Sequence, residues 1–198
     1  LTADKRRIVH HDGNTKRVCG VDCVIRDTDY AELPKLPNGE AQPLFADVLK
    51  LVNGQVPLIV EVKQYGHPTE NAQAALDALA SYRGAFCMES FHPLIVRYIR
   101  KHAPQIVRGQ LAMGGAFNKN ELNMVEHFAL KHLLVNCLGR PHFVAYSVAV
   151  DHNLSMWLMK RLYKPLLAAW TVRDQPLLDY ALRDYDMPIF ELFTPKGR

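Results

Sequence analysis

Residues 57–111 read PLIVEVKQYGHPTENAQAALDALASYRGAFCMESFHPLIVRYIRKHAPQIVRGQL. Three short apolar runs, 57–62, 85–89 and 106–111, are separated by two helical patterns. The first pattern spans 69–82 and closes at Gly84; the second spans 93–102, opens on a first-turn proline and stops before Pro104. Short runs rich in β-branched residues and bounded by such punctuation are strands. Strand and helix alternate at spacings long enough for crossover connections, which makes the sheet parallel with helices outside it.

The same alternation continues toward the C-terminus, with strands expected at 143–150, 167–172 and 189–193 and helices at 121–138, 153–163 and 175–184. Upstream, Leu44, Val48, Leu49 and Val52 recur at helical spacing over 45–52, a core-packing helix followed by Asn53-Gly54. Residues 12–43 are polar and punctuated by Asp12-Gly13-Asn14, Pro34 and Pro37-Asn38-Gly39, and read as an insertion on the scaffold. The run 8–10 is too close to a preceding turn to be a crossover strand. It is expected to be the returning arm of a hairpin whose partner lies before Leu1. Six regular strands then remain, whereas a closed βα-barrel has eight and usually needs ~250 residues. The expected fold is an α/β (β/α)8 TIM barrel, one domain over 1–198, with its first two strands missing from this chain. Such an open barrel, alone, is expected to be poorly soluble or to borrow strands from a neighbour, and to be inactive.

Composition narrows the function classes. The 198 residues are 48% hydrophobic, 22% charged and 9% aromatic, a balance that supports a buried core. The net charge of +4 is scattered apart from Lys5-Arg6-Arg7 and Arg97/Arg100-Lys101, so no basic track points to nucleic acid, while a phosphate-bearing small molecule suits it. No apolar run approaches the ~18 residues of a membrane span. Cys19, Cys23, Cys87 and Cys137 lack the spacing of a structural zinc site and read as ordinary thiols, with a mild preference for a reducing compartment and a cytoplasmic location. Oligomeric state is left open.

Charged residues at strand ends draw the eye first, because catalytic groups of βα-barrels sit at the C-terminal ends of strands. His10-His11-Asp12 ends one run and Glu61-Val62-Lys63 the next. Alternation puts Glu61 and Lys63 on one side of their strand. Their spacing fits a structural ion pair as well as a site, and His11 beside a turn fits an exposed hydrogen-bonded ring as well as a proton carrier.

In chain order, these residues belong to a larger set. Leu1-Thr2-Ala3-Asp4 with Ile8-Val9-His10-His11-Asp12, then Arg17 and Gly20, resemble an "LT-x-D... VV-x-HD... R-x-x-G" series. Thr28-Asp29-Tyr30-Ala31-Glu32-Leu33 and 43–49 resemble "TY-x-EL... P-x-L-x-EVL"; Ile59-Val60-Glu61-Val62-Lys63 resembles "I-E-x-K"; Ser90-Phe91-His92-Pro93 resembles "SF-x-P"; Trp170-Thr171-Val172 matches "WTV". The series resembles the glycerophosphodiester phosphodiesterase family over nearly the whole chain. That resemblance implies metal-dependent hydrolysis of a small-molecule glycerophosphodiester to glycerol 3-phosphate and an alcohol, with a hard divalent cation, Mg²⁺ or Ca²⁺, and acid/base histidines. It implies His11 and Lys63 as catalytic residues, Glu61 as a metal ligand, and Phe91 and Trp170 as an aromatic wall for substrate, with His10 structural. Tyr146 and Arg108 are lesser candidates for phosphate contact, and His127 and His132 read as surface or packing residues.

The family's opening "HRG", its "PENT" helix start and its "E-x-D" do not occur in the chain, and 189–195 lacks the aspartate of a "TD-x-P" ending, so that Glu191 becomes a candidate for pointing inward. Two alternatives follow from these departures: a barrel that lost its chemistry and serves as a binding module, or a related phospholipase D-like barrel that cleaves a choline phosphodiester.

Overall fold

The computed structural model describes residues 1–113, 132–148 and 154–196. Its chain forms two compact units, Leu1–Cys87 and Met88–Arg198. The expected helix at 121–138 lies mostly outside the described residues, as does His127.

In the first unit the N-terminal segment is held by a few backbone hydrogen bonds to 43–45 rather than by a strand of its own. Ile8 forms an isolated antiparallel bridge with Leu44; Val9 N–H donates to Pro43 O at 2.8 Å and Phe45 N–H to Arg7 O at 2.8 Å. Among the described residues, the antiparallel partner of Ile8 thus lies downstream, at the extended stretch before the next helix; the upstream hairpin arm expected from sequence lies outside them. Residues 12–43 fold into short turns and helices: α1 (Lys16–Cys19) and 3₁₀ turns at Ile25–Asp27 and Tyr30–Glu32. Gly20 caps α1 at φ 75°, a left-handed position that costs a residue with Cβ, and its N–H closes on Lys16 O. Thr15 is fully buried, its hydroxyl donating to Val21 O at 2.8 Å.

α2 (Phe45–Val52) turns Leu49 inward and ends at left-handed Asn53. β1 (Leu58–Glu61) follows, and Leu58 N–H donates to Ala85 O at 3.0 Å, just ahead of β2 (Phe86–Ser90). Between them α3 (Pro68–Leu79) opens on a proline, whose missing N–H costs nothing in the first turn, and buries Ala72 and Leu79.

The second unit is a run of parallel pairs. After α4 (Pro93–His102), which buries Ile95, Val96 and Ile99, comes β3 (Arg108–Ala112), buried along its whole length. β4 (Phe143–Ser147), β5 (Leu166–Val172) and β6 (Met187–Phe190) complete it, and β2, β3, β4, β5 and β6 pair in that order, each parallel to the next. The last two strands are separated by α7 (Gln175–Asp184), whose N-cap Asp174 accepts Leu177 N–H at 2.8 Å. Two shorter helices are α5 (Asn136–Gly139) and α6 (Leu154–Leu158), the latter continued by a π turn at Met159–Tyr163. Burial on both faces of β4 and most of β5 explains why their sequences read as continuous apolar runs rather than alternating ones. The core gathers Val144, Tyr146, Met156, Val172, Leu178 and Tyr185.

Gly109 is required by close packing. A Cβ there would fall 2.2 Å from the Phe143 ring on the paired strand. Gly109→Ala is expected to destabilise the protein by about 1–3 kcal/mol, the usual cost of overpacking, measured as a lowered urea midpoint at unchanged slope. A wild-type midpoint would show that the Phe143 ring has room to move.

Arg108 ends in structure, not in a site. Its guanidinium donates to Gly139 O at 3.1 Å and Arg140 O at 2.7 Å, satisfying carbonyls at the end of α5, and burial lowers its pKa. Tyr146 is buried in the core. Neither matches the phosphate contact considered from sequence, because each is committed to packing at its own strand. Glu191 likewise faces outward, exposed and paired with Arg173 at 2.8 Å.

His142 accepts Arg108 N–H at Nδ1 over 3.1 Å, and burial, then the Arg108 charge, lower its pKa. With the folded pKa below the ~6.5 of the unfolded chain, the unfolded state binds more protons as pH falls through this range. Stability is therefore full above about pH 6.5 and drops on acidification through the folded pKa. Denaturation midpoints measured from pH 8 to 5 should fall, and a His142→Asn variant should lose that part of the slope; equal slopes would remove His142 as the cause.

Candidate active site

The first unit contains a cavity of about 430 Å³. Its lining includes His10, His11 and Asp12 together with Glu61, Lys63 and Tyr65. The strand-end residues singled out in the sequence thus line one space.

Lys63 Nζ donates to Glu61 Oε2 at 2.7 Å, and both side chains stay about three-quarters buried. The pair is therefore an ion pair set in the cavity lining. The turn that carries Lys63 is clamped from α3, where Asn71 Nδ2 donates to Lys63 O at 2.9 Å and Tyr65 O at 2.8 Å. An asparagine amide nitrogen carries two hydrogens and can serve two carbonyls at once, which an aspartate at this position could not do.

Asp12 organises the part of the lining around His11. Its Oδ1 accepts from His11 Nδ1 at 2.7 Å and its Oδ2 from Arg17 Nε at 2.7 Å. Burial alone would raise the Asp12 carboxyl, but the hydrogen bonds from His11 and Arg17 outweigh it and hold it below the usual carboxylate range. An ionised carboxylate can only accept, so Nδ1 of His11 carries the hydrogen and the neutral ring keeps its lone pair on Nε2. His10 turns the other way, with Nδ1 on Gln42 Oε1 at 3.1 Å and Nε2 on Asn14 O at 3.2 Å. Both ring nitrogens of His10 are thus engaged in holding the insertion.

In the second unit Phe91 and Trp170 meet edge to face, their ring centroids 5.4 Å apart at 85°. Trp170 Nε1 donates to Ala145 O at 3.0 Å, which fixes the indole on its strand. Gln110, fully buried, donates from Nε2 to Ser90 O at 3.0 Å and Phe91 O at 2.9 Å and so holds the strand end that presents Phe91. His132 packs as expected, with Nδ1 2.8 Å from Ser155 Oγ.

The roles of Asp12, Asn71 and Gln110 were not legible beforehand. A polar residue in a strand or first helical turn carries no sign of which carbonyls it will meet.

A model of the glycerophosphoryl diester phosphodiesterase family matches residues 1–191. The chain belongs to that family. It is a family of phosphoric diester hydrolases, and the matched span takes in the lining of the cavity and the Phe91–Trp170 pair. Among solved structures, a glycerophosphodiester phosphodiesterase from Parabacteroides distasonis is similar at 21% identity, with a TM-score of 0.73 over 96% of this chain and 76% of that one. An Oleispira antarctica phosphodiesterase, solved with its product sn-glycerol-3-phosphate, gives 0.74 at 18% identity over 96% and 77%. A glycerophosphodiester phosphodiesterase from Thermotoga maritima gives 0.66 at 21% identity over 96% and 77%. At these identities the likeness establishes the fold. No functionally curated protein matches at a significant level.

Proposed function

We propose that the complete (β/α)8 barrel to which the six described strands belong hydrolyses glycerophosphodiesters to glycerol 3-phosphate and an alcohol. The observation that carries this reading is the cavity whose lining brings together a carboxylate-oriented imidazole, His11, and the Glu61–Lys63 pair.

The residues divide the work by charge. The Lys63 ammonium faces the cavity and neutralises charge on the phosphate oxygens, where a pre-organised cation lowers the barrier most. His11, with its lone pair on Nε2, exchanges a proton with the attacking water or the leaving oxygen, and Asp12 steadies the imidazolium that forms. Arg17 keeps Asp12 ionised and in place. Phe91 and Trp170 offer an apolar edge suited to the glycerol or head group.

A divalent cation, Mg²⁺ or Ca²⁺, would supply further neutralisation of phosphate charge. Among the described residues no group of three His, Cys, Asp or Glu side chains could hold a metal, so those donors do not complete a cation site by themselves. Glu61 is the oxygen donor we assign to such an ion.

The test is product analysis with glycerophosphocholine and glycerophosphoethanolamine as substrates. Release of glycerol 3-phosphate and the free alcohol supports the reading. Release of phosphocholine, or no turnover of either diester with Mg²⁺ or Ca²⁺ present, would overturn it.

A further inference from the structure

The segment 154–166 carries an apolar face that the core does not use. Met156 is buried in the core and Met159 packs against it, while Lys160 places its ammonium 4.4 Å from the centre of the Tyr185 ring. These three residues mark the inward side of α6 and its π continuation. At 3.6 residues per turn, Leu154 and Trp157 fall on the opposite side of α6, and Arg161 and Leu162 in the π turn are exposed as well. Leu154 is 69% exposed, Trp157 57% and Leu162 68%; Leu166, where the chain enters β5, is 61% exposed.

A run of four large apolar side chains turned to water is expensive for a surface helix, and a tryptophan among them is unusual without an occupant. The charges beside it say which occupant fits. Residues 154–166 contain Lys160, Arg161 and Lys164 and no Asp or Glu, and both Arg161 and Lys164 are exposed. Leucine and tryptophan flanked by basic residues on one short helix is the pattern of a segment that lies in the plane of a bilayer interface, with the indole at the head-group level and the cations on anionic lipid phosphates.

We propose that α6 and the turn after it dock the protein on an anionic lipid surface through Leu154, Trp157 and Leu162, with Arg161 and Lys164 on the lipid head groups. None of these residues lines the cavity of the first unit, and the proposal stands independently of the catalytic reading.

The experiment mixes the protein with vesicles of phosphatidylcholine containing phosphatidylserine, and with vesicles of phosphatidylcholine alone. Co-sedimentation and tryptophan emission are the readouts. Binding to the phosphatidylserine vesicles is expected, with a blue shift that a Trp157→Phe variant abolishes, leaving Trp170 to report no change. The Arg161→Gln/Lys164→Gln double variant should weaken binding about tenfold or more, and added salt should do the same. The emission measurement on the unchanged protein tests the docking without depending on how any variant folds. No binding to phosphatidylserine vesicles, a blue shift that survives Trp157→Phe, or equal binding by the double variant at matched circular dichroism would each overturn the proposal. Self-association with concentration in place of vesicle binding would also overturn it, and would make a second copy of the chain the occupant.

Discussion

Replacing His11 by alanine should lower turnover of a glycerophosphodiester by about 10²–10⁴-fold, the usual contribution of one positioned proton-transfer group. The side chain is 70% exposed and hydrogen-bonded to the neighbouring Asp12, so folding should be untouched. The change should fall on kcat and alter the pH–rate profile, with KM little affected, because the imidazole acts on the proton and not on the bound ground state. Asp12→Asn gives a graded companion. It keeps the shape but removes the acceptor that fixes the tautomer, so its effect should lie between wild type and His11→Ala. A His11→Ala protein with the wild-type pH–rate profile would take His11 out of the mechanism.

Glu61→Gln should abolish divalent-cation-dependent hydrolysis while leaving the protein folded. The glutamine keeps the volume, but the formal charge that pairs with Lys63 is lost. Because both side chains retain about a quarter of their exposure, solvent screening keeps the stability cost within about 1 kcal/mol. A large loss of activity with a small shift in melting temperature separates a site from a structural ion pair. Lys63→Met, which leaves the carboxylate without its cation, should cost about 10²–10³-fold in kcat, the scale of one pre-organised charge donor. If Glu61→Gln retained ordinary activity at ordinary Mg²⁺ or Ca²⁺ concentrations, the assignment of this wall would fail.

The alternation of apolar runs and capped helices in 57–111 and beyond fixed the order of elements and their parallel pairing. Crossover length leaves a strand no other way to meet its neighbour, and five of the expected runs, 57–62, 85–89, 106–111, 143–150 and 167–172, overlap strands of the structure closely. The period of two likewise placed Glu61 and Lys63 on one side of β1, since side-chain direction in a strand is a local property. The ordered motifs carried the family.

Contacts between distant stretches were decided only by the tertiary structure. The run 8–10 looked like a strand because its composition is apolar; among the described residues its antiparallel partner is the 43–45 stretch, more than thirty residues downstream, and a bridge of that span has no signature in either segment alone. Arg108 and Glu191 stood at strand ends like catalytic residues, but one found the carbonyls of α5 and the other a surface arginine. The same holds for Asp12, which binds His11 and Arg17 at once, and for Asn71, which closes the Lys63 turn. Which way an isolated polar side chain reaches depends on the acceptors that folding brings beside it, and pattern along the chain records only the direction of the backbone.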